Sequence, residues 1–183
     1  TAELKAVAKQ VREMAKRRDE LVKAAGDNAR AAADKLVCAE HLYAAGQAPD
    51  RVAALLAEAL AGDAPLGPAY GLRAVLNADR GRLTKALPDA EKAVQLAPAD
   101  FRGYLARGRV LFERGGDGAL ADLRKAVELS KRSDAAALHA YAAALAGAGQ
   151  KEEAVAAERE AAKLRPEVAE YREQLQELES AKK

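Results

Sequence analysis

Residues 133–166 read SDAAALHAYAAALAGAGQKEEAVAAEREAAKLRP: two alanine-rich runs parted by Gly149 and closed by Pro166. Strong helix formers fill both runs. Glycine readily takes the left-handed conformation that ends a helix, and proline cannot continue one, so the stretch predicts a helix, a turn, a second helix and a stop. The same punctuation recurs upstream. Leu96-Ala97-Pro98 and Leu164-Arg165-Pro166 lie 68 residues apart, and Lys125-Ala126-Val127-Glu128-Leu129 repeats Lys92-Ala93-Val94-Gln95-Leu96 at an offset of 33. Gly46, Gly81, Gly115 and Gly149 are spaced 35, 34 and 34, and a small residue (Ala39, Ala74, Gly108, Ala142) stands seven before each. The second runs carry Ala86, Ala119 and Ala154, then Ala59, Ala93, Ala126 and Ala161. A single register near 34 residues, held over more than 130, signals stacked helix pairs.

The pattern resembles the tetratricopeptide repeat (TPR): a large residue, a small one four later, a turn glycine, an Ala opening the second helix, another seven on, and a closing Pro. Leu138, Ala142, Gly149, Ala154, Ala161 and Pro166 fit every spacing, as do Tyr70, Ala74, Gly81, Ala86, Ala93 and Pro98. A third copy has Tyr104, Gly108, Gly115, Ala119 and Ala126, but loses one residue at Gly115-Gly116-Asp117-Gly118 and lacks the Pro. The first is weakest, with Ala39, Gly46 and Ala59 and an extra residue near Ala48-Pro49-Asp50. The resemblance implies an all-α, right-handed superhelical solenoid: an N-terminal helix (1–28), repeats at 29–65, 66–99, 100–132 and 133–166, and a capping helix at 167–183.

Composition agrees with that reading. Alanine supplies about a quarter of the 183 residues, isoleucine and tryptophan are absent, and aromatics are 4%, which starves β-structure. No apolar stretch is long enough to span a membrane. The charges nearly cancel, 30 Lys plus Arg against 28 Asp plus Glu, and this argues against a nucleic-acid surface. Wealth in Ala, Arg, Asp and Gly without Ile is the composition of a GC-rich bacterial gene. The chain starts at Thr1 without Met, as a processed product would, so both a cytoplasmic and an exported location stay open.

Small residues on facing helices allow close approach, and the burial lost with each alanine must be offset by larger neighbours such as Leu55, Leu56, Leu60, Leu87, Leu123, Leu129, Tyr141 and Leu145. Arg73 and Arg107 stand where the TPR pattern has Leu, and snorkelling of their heads into water is expected. Cys38 falls within an apolar pattern and reads as a small core residue. Before the repeats, Leu4, Val7, Val11, Met14, Leu21 and Ala25 form one helical stripe, interrupted by Arg18 and ended by Gly26-Asp27-Asn28. Docking on the first repeat is the main expectation; a seam with a second chain and a partner protein are the alternatives. Lys16-Arg17-Arg18 reads as a solvated cluster. At the other end Val168, Tyr171, Leu175 and Leu178 form the inner face of a cap that covers the last repeat.

Enzyme motifs are absent. His41 and His139 are too far apart for a paired zinc motif, and the glycine-rich run at 115–118 follows a helix rather than a strand, with no Lys-Ser or Lys-Thr continuation. Neither a cofactor nor a metal is expected. The resemblance implies a groove built from the first helices, comprising Leu36, Val37, Glu40, Tyr43, Leu72, Val75, Asp79, Arg102, Leu105, Arg109, Phe112, Glu113, His139 and Ala143. It would receive a peptide or helix of a partner protein, with an acidic group met by the arginine pair. The Lys and Asn clamp by which some TPR proteins hold chaperone tails is replaced by residues such as Gly71, Leu72, Val75 and Ala106. A non-catalytic interaction scaffold is therefore expected; a self-assembling component, or a regulatory part of a larger protein, is the alternative.

Overall fold

A computed structural model describes residues 2–25, 30–62 and 66–180. Among these there are ten helices and no strand: α1 (Ala2–Ala25), α2 (Arg30–Ala44), α3 (Pro49–Leu60), α4 (Gly67–Asp79), α5 (Leu83–Leu96), α6 (Phe101–Glu113), α7 (Ala119–Leu129), α8 (Ala135–Gly147), α9 (Lys151–Leu164) and α10 (Ala169–Ser180). Helices α2 to α9 associate as four successive hairpins, and each hairpin packs on the next, α4 and α5 on α6 and α7 on α8. α1 lies on α2 and α10 on α9, giving an all-α solenoid. The expected stops at Gly26-Asp27-Asn28 and Pro65 lie outside the described residues.

The glycines end the first helices as the spacing predicts. Gly46, Gly81, Gly115 and Gly149 have φ of 65°, 67°, 63° and 77°. Each is followed by an N–H that reaches back five residues: Gln47 to Leu42, Arg82 to Asn77, Gly116 to Leu111 and Gln150 to Leu145, all at 2.8–2.9 Å. This closure satisfies carbonyls that the helix end would otherwise orphan. After α7, where the repeat lacks its proline, Arg132 N–H bonds Val127 O at 3.0 Å in the same way. There, however, the left-handed residues are Lys131 and Arg132, at φ 52° and 57°, a conformation costing side-chain-bearing residues about 1–2 kcal/mol each. The extra residue of the first repeat is absorbed at Ala48, also left-handed at φ 44°, just before Pro49.

Every periodic alanine is buried, from Ala39, Ala59, Ala74 and Ala86 at 0% exposure to Ala119 at 7%. Around them Leu56, Leu123 and Leu145 are fully enclosed, with Leu60, Leu87 and Leu129 half-buried. Gly108 marks a close approach of α6 and α7: a Cβ there would stand 2.7 Å from Leu123 Cγ and 3.2 Å from the Ala119 carbonyl. α1 is covered over only part of its length. Leu21 and Val22 join the core cluster that contains Ala33, Leu36 and Val37, and Met14 is half-buried, while Val7 and Val11 are 55% and 59% exposed.

Two expectations are corrected. Arg73 and Arg107 do not extend their heads into water. Each forks onto a carboxylate of its partner helix, Arg73 to Asp89 with both bonds at 2.7 Å and Arg107 to Asp122 at 2.6 and 2.8 Å. Each guanidinium also lies over a tyrosine ring one turn back, Tyr70 and Tyr104. Cys38 is exposed. It occupies the same place in its repeat as these two arginines, immediately before the close-packed small residue.

Gly108→Ala, with Leu123 and a backbone oxygen in the way, is expected to cost about 1–3 kcal/mol in urea unfolding; unchanged stability would refute the close contact. A second prediction concerns Asp134, whose carboxylate caps α8 by accepting from Ala137 N–H at 2.8 Å. Burial pushes its pKa up, against the capping bond and the charges of Arg102 and Arg165. A raised folded-state pKa contributes stability that is complete below the unfolded value and is lost as pH rises through the folded one. Asp134→Ala should therefore cost about 1 kcal/mol through the lost cap. Asp134→Asn, which retains the acceptor without the charge, should gain on wild type as pH rises above about 4, the ordinary range of an Asp carboxylate. A difference that stays flat with pH would remove the desolvation account.

Candidate functional site

The first helices of the four hairpins, with α10, wall two adjoining cavities. One, of about 440 Å³, is lined by Glu40 and Tyr43 of α2, Leu72 and Val75 of α4, and Arg102 and Leu105 of α6, together with Asp134, Arg165 and Tyr171. The other, of about 320 Å³, is lined by Asp79, Arg109, Phe112, Glu113, His139 and Ala143, with Ala140, Glu170 and Tyr171. Ala136 and Tyr171 border both, so the two join in one trough. Leu72, Val75 and Leu105 form its floor and are only 1–2% exposed. Leu36 and Val37 are corrected: at 0% and 5% exposure they line neither cavity, being packed in the cluster that the additional helix α1 completes.

The charges facing this trough are already matched. Arg102 pairs with Glu40 at 3.0 Å and with Asp100 at 2.9 Å; Arg17 of α1 reaches the same two carboxylates at 3.2 and 3.6 Å. Two cations and two anions alternate, each touching both of its opposites. Arg17 is thus an ion-pair member, and the solvated reading of its cluster fails for it, while neighbouring Arg18 pairs with Asp19 at an exposed position. Arg109 is held by Asp79, which also accepts from the Tyr43 hydroxyl at 2.7 Å. Burial, then the nearby Asp79 charge, pushes the Tyr43 hydroxyl's pKa up, so it remains a donor. The arginine pair expected to meet an acidic ligand group is therefore engaged within the protein. A ligand carboxylate would have to displace Glu40, Asp100 or Asp79 to use it.

His139 has the most elaborate surroundings. Its Nδ1 lies 2.9 Å from Oε1 of Glu158, a carboxylate with 0% side-chain exposure, and its Nε2 is 3.6 Å from Glu170. Its ring packs on Tyr171 at 4.7 Å between centroids. A carboxylate that is ionised only accepts, so Nδ1 is then the donor to Glu158. The other Glu158 oxygen is buried without a partner. Tyr171, Glu170, Asp134, Glu158 and Arg17 were not among the expected site residues. Tyr171 was visible only as an apolar cap position, and Arg17 meets Asp100 across 83 residues of chain, a separation that no local pattern encodes.

Among the described residues no group of three or more His, Cys, Asp or Glu could hold a metal ion. None of the described helices is long and apolar enough to cross a membrane. No family model and no curated protein matches the chain. Solved structures do. TTC0263, a thermophilic TPR protein of Thermus thermophilus, aligns over 82% of each chain with 23% identity and a TM-score of 0.62. MamA (residue 41 to the end) of Desulfovibrio magneticus RS-1 aligns over 86% of this chain and 87% of its own with 23% identity and a TM-score of 0.57. YrrB, described as a TPR protein with an unusual peptide-binding site, aligns over 94% of this chain and 87% of its own with 19% identity and a TM-score of 0.51. With the helix pairs, turn glycines and buried alanines in the register that the repeat demands, the chain has the tetratricopeptide-repeat fold.

Proposed function

We propose that this chain is a non-catalytic interaction scaffold whose trough receives a peptide or helix of a partner protein. The observation that carries this reading is the continuity of the two cavities across Ala136 and Tyr171. Together they offer an elongated, mostly apolar surface with side-chain-sized recesses, which suits an extended or helical segment better than a compact small molecule. Ala136, Ala140 and Ala143 leave one wall smooth. Phe112, 41% exposed, supplies an apolar anchor at one end. The peptide-binding description of YrrB belongs to that protein, and it adds only that a similar fold can serve this use.

A second reading has its own observation. Val7 and Val11 continue the stripe whose other end, Leu21 and Val22, is buried, so α1 has apolar surface left uncovered for a second copy. Dilution followed by light scattering separates the readings: Val7→Glu with Val11→Glu should dissociate a self-associating chain, and a monomer at all concentrations would exclude self-assembly.

For the trough itself, the test fills it. Short peptides selected from a displayed random library are expected to bind wild type, and Ala140→Leu with Ala143→Leu should weaken them about tenfold or more, with helical circular dichroism retained. Undiminished affinity in that folded variant would place the binding surface elsewhere.

A further inference from the structure

Resting on the trough reading, we infer that the recess between α6, α8 and α10 is a receptor for a cationic side chain, so that the partner segment carries a Lys or Arg among apolar residues. The recess is the cavity of about 320 Å³, at the small end of the ~300–1,000 Å³ range for ligand pockets and suited to one or two side chains.

The charge balance at its wall gives the sign. Arg109 and Asp79 cancel within the protein, and Tyr43 adds a further bond to Asp79. Glu113 has no partner among the described residues. Glu170, 74% exposed at its side chain, pairs among the described residues with His139 Nε2, at 3.6 Å. Behind His139 stands the fully buried Glu158, with one oxygen bonded to the ring and the other unpartnered. Carboxylates thus outnumber cations around the recess even when the imidazole is counted as charged. An acidic ligand group would meet this excess and find no unpaired arginine.

Aromatic surface supplies the second half of the site. Phe112 rests against α8, where a Cβ on Gly147 would stand 3.3 Å from the ring, so glycine makes room for the ring to lie close on the helix. It is nonetheless 41% exposed and borders the recess together with Tyr171. An aromatic face beside carboxylates is favourable for ammonium and guanidinium groups: the ring quadrupole attracts the cation and the carboxylates accept its N–H bonds. The long aliphatic stem of Lys or Arg would lie along Ala140 and Ala143, apolar contact that a short acidic side chain cannot make.

The experiment uses the full chain and the library-selected peptides. Lys or Arg should be enriched at one position, and its replacement by Gln in the synthetic peptide should lower affinity about tenfold. Glu113→Gln with Glu170→Gln should erase the difference between the Lys and Gln peptides, chiefly by weakening the Lys peptide; Phe112→Leu should reduce the difference in part. Peptides that bind the trough without a basic preference, or with an acidic one, overturn the cationic recess and leave the trough standing. Lys and Gln peptides that keep their difference in the double Gln variant also overturn it. A library that yields no binder, or binders indifferent to Ala140→Leu with Ala143→Leu, removes the trough reading and this one with it.

Discussion

Each hairpin of this protein closes where one helix presents almost no side chain. At Ala39, Ala74, Gly108 and Ala142 the first helix carries a buried methyl group or less, and at Gly108 the second helix meets it with Leu123 and the Ala119 carbonyl. A larger residue at any of these crossings would push the axes apart and alter the angle at which the next hairpin stacks. The cost of that geometry is a thin core, since a buried alanine contributes only about 0.8 kcal/mol against roughly 1.5–3 kcal/mol for a leucine. Enclosed leucines at 56, 72, 105, 123, 138 and 145 offset the deficit along the axis of the stack. The same smallness shapes the trough. α8 is alanine on nearly every side, so it buries Ala137, Ala142 and Ala144 against its neighbours while Ala136, Ala140 and Ala143 leave the cavity wall open.

Ion pairs complete the links that such a core leaves weak. Tyr70, Arg73 and Asp89 form a unit that recurs as Tyr104, Arg107 and Asp122, one repeat on. The arginine stem packs, its head forks onto the facing helix, and a tyrosine supports it. Hydrogen bonding to the facing carboxylate is the leading reason that both guanidiniums are held more firmly protonated than usual. Bidentate geometry matters here because isolated exposed pairs contribute little, whereas a fork with a mostly buried aspartate fixes the rotation of one helix on another. The alternating set of Arg17, Glu40, Arg102 and Asp100 acts over longer range, tying α1, α2 and the start of α6.

Periodic features were legible in the sequence because a repeat states each requirement four times. The turn glycines and close-packed alanines stand where the register put them. Features that depend on one contact were not legible. Cys38 was assigned by its apolar neighbours, and the register could not decide it, because the equivalent positions hold the paired Arg73 and Arg107 and the buried Tyr141. Leu36 and Val37 lost their place in the trough to α1, an element with no counterpart in the repeat pattern. The arginines at 102 and 109 line the two cavities but were credited with unspent charge, because their pairing with Glu40, Asp79 and Asp100 depends on how the helices stack. Pairing between elements is set by stacking geometry, which a one-dimensional pattern carries only implicitly.

The trough and the cap are one device. α10 has no fully buried residue; Val168, Tyr171, Leu175 and Leu178 are half-covered, and exposed pairs such as Arg159 with Glu179 add little beyond orientation. By burial it is lightly held, and local stability follows buried apolar contact. Yet Tyr171 joins the two cavities and stacks on His139, while Glu170 completes the rim. A segment entering the trough would bury more of Tyr171 against itself and would thereby fasten the helix that covers the last hairpin. On the proposed reading of the trough, a segment bound there would favour closure of the stack, because what fastens α10 also completes the trough's edge.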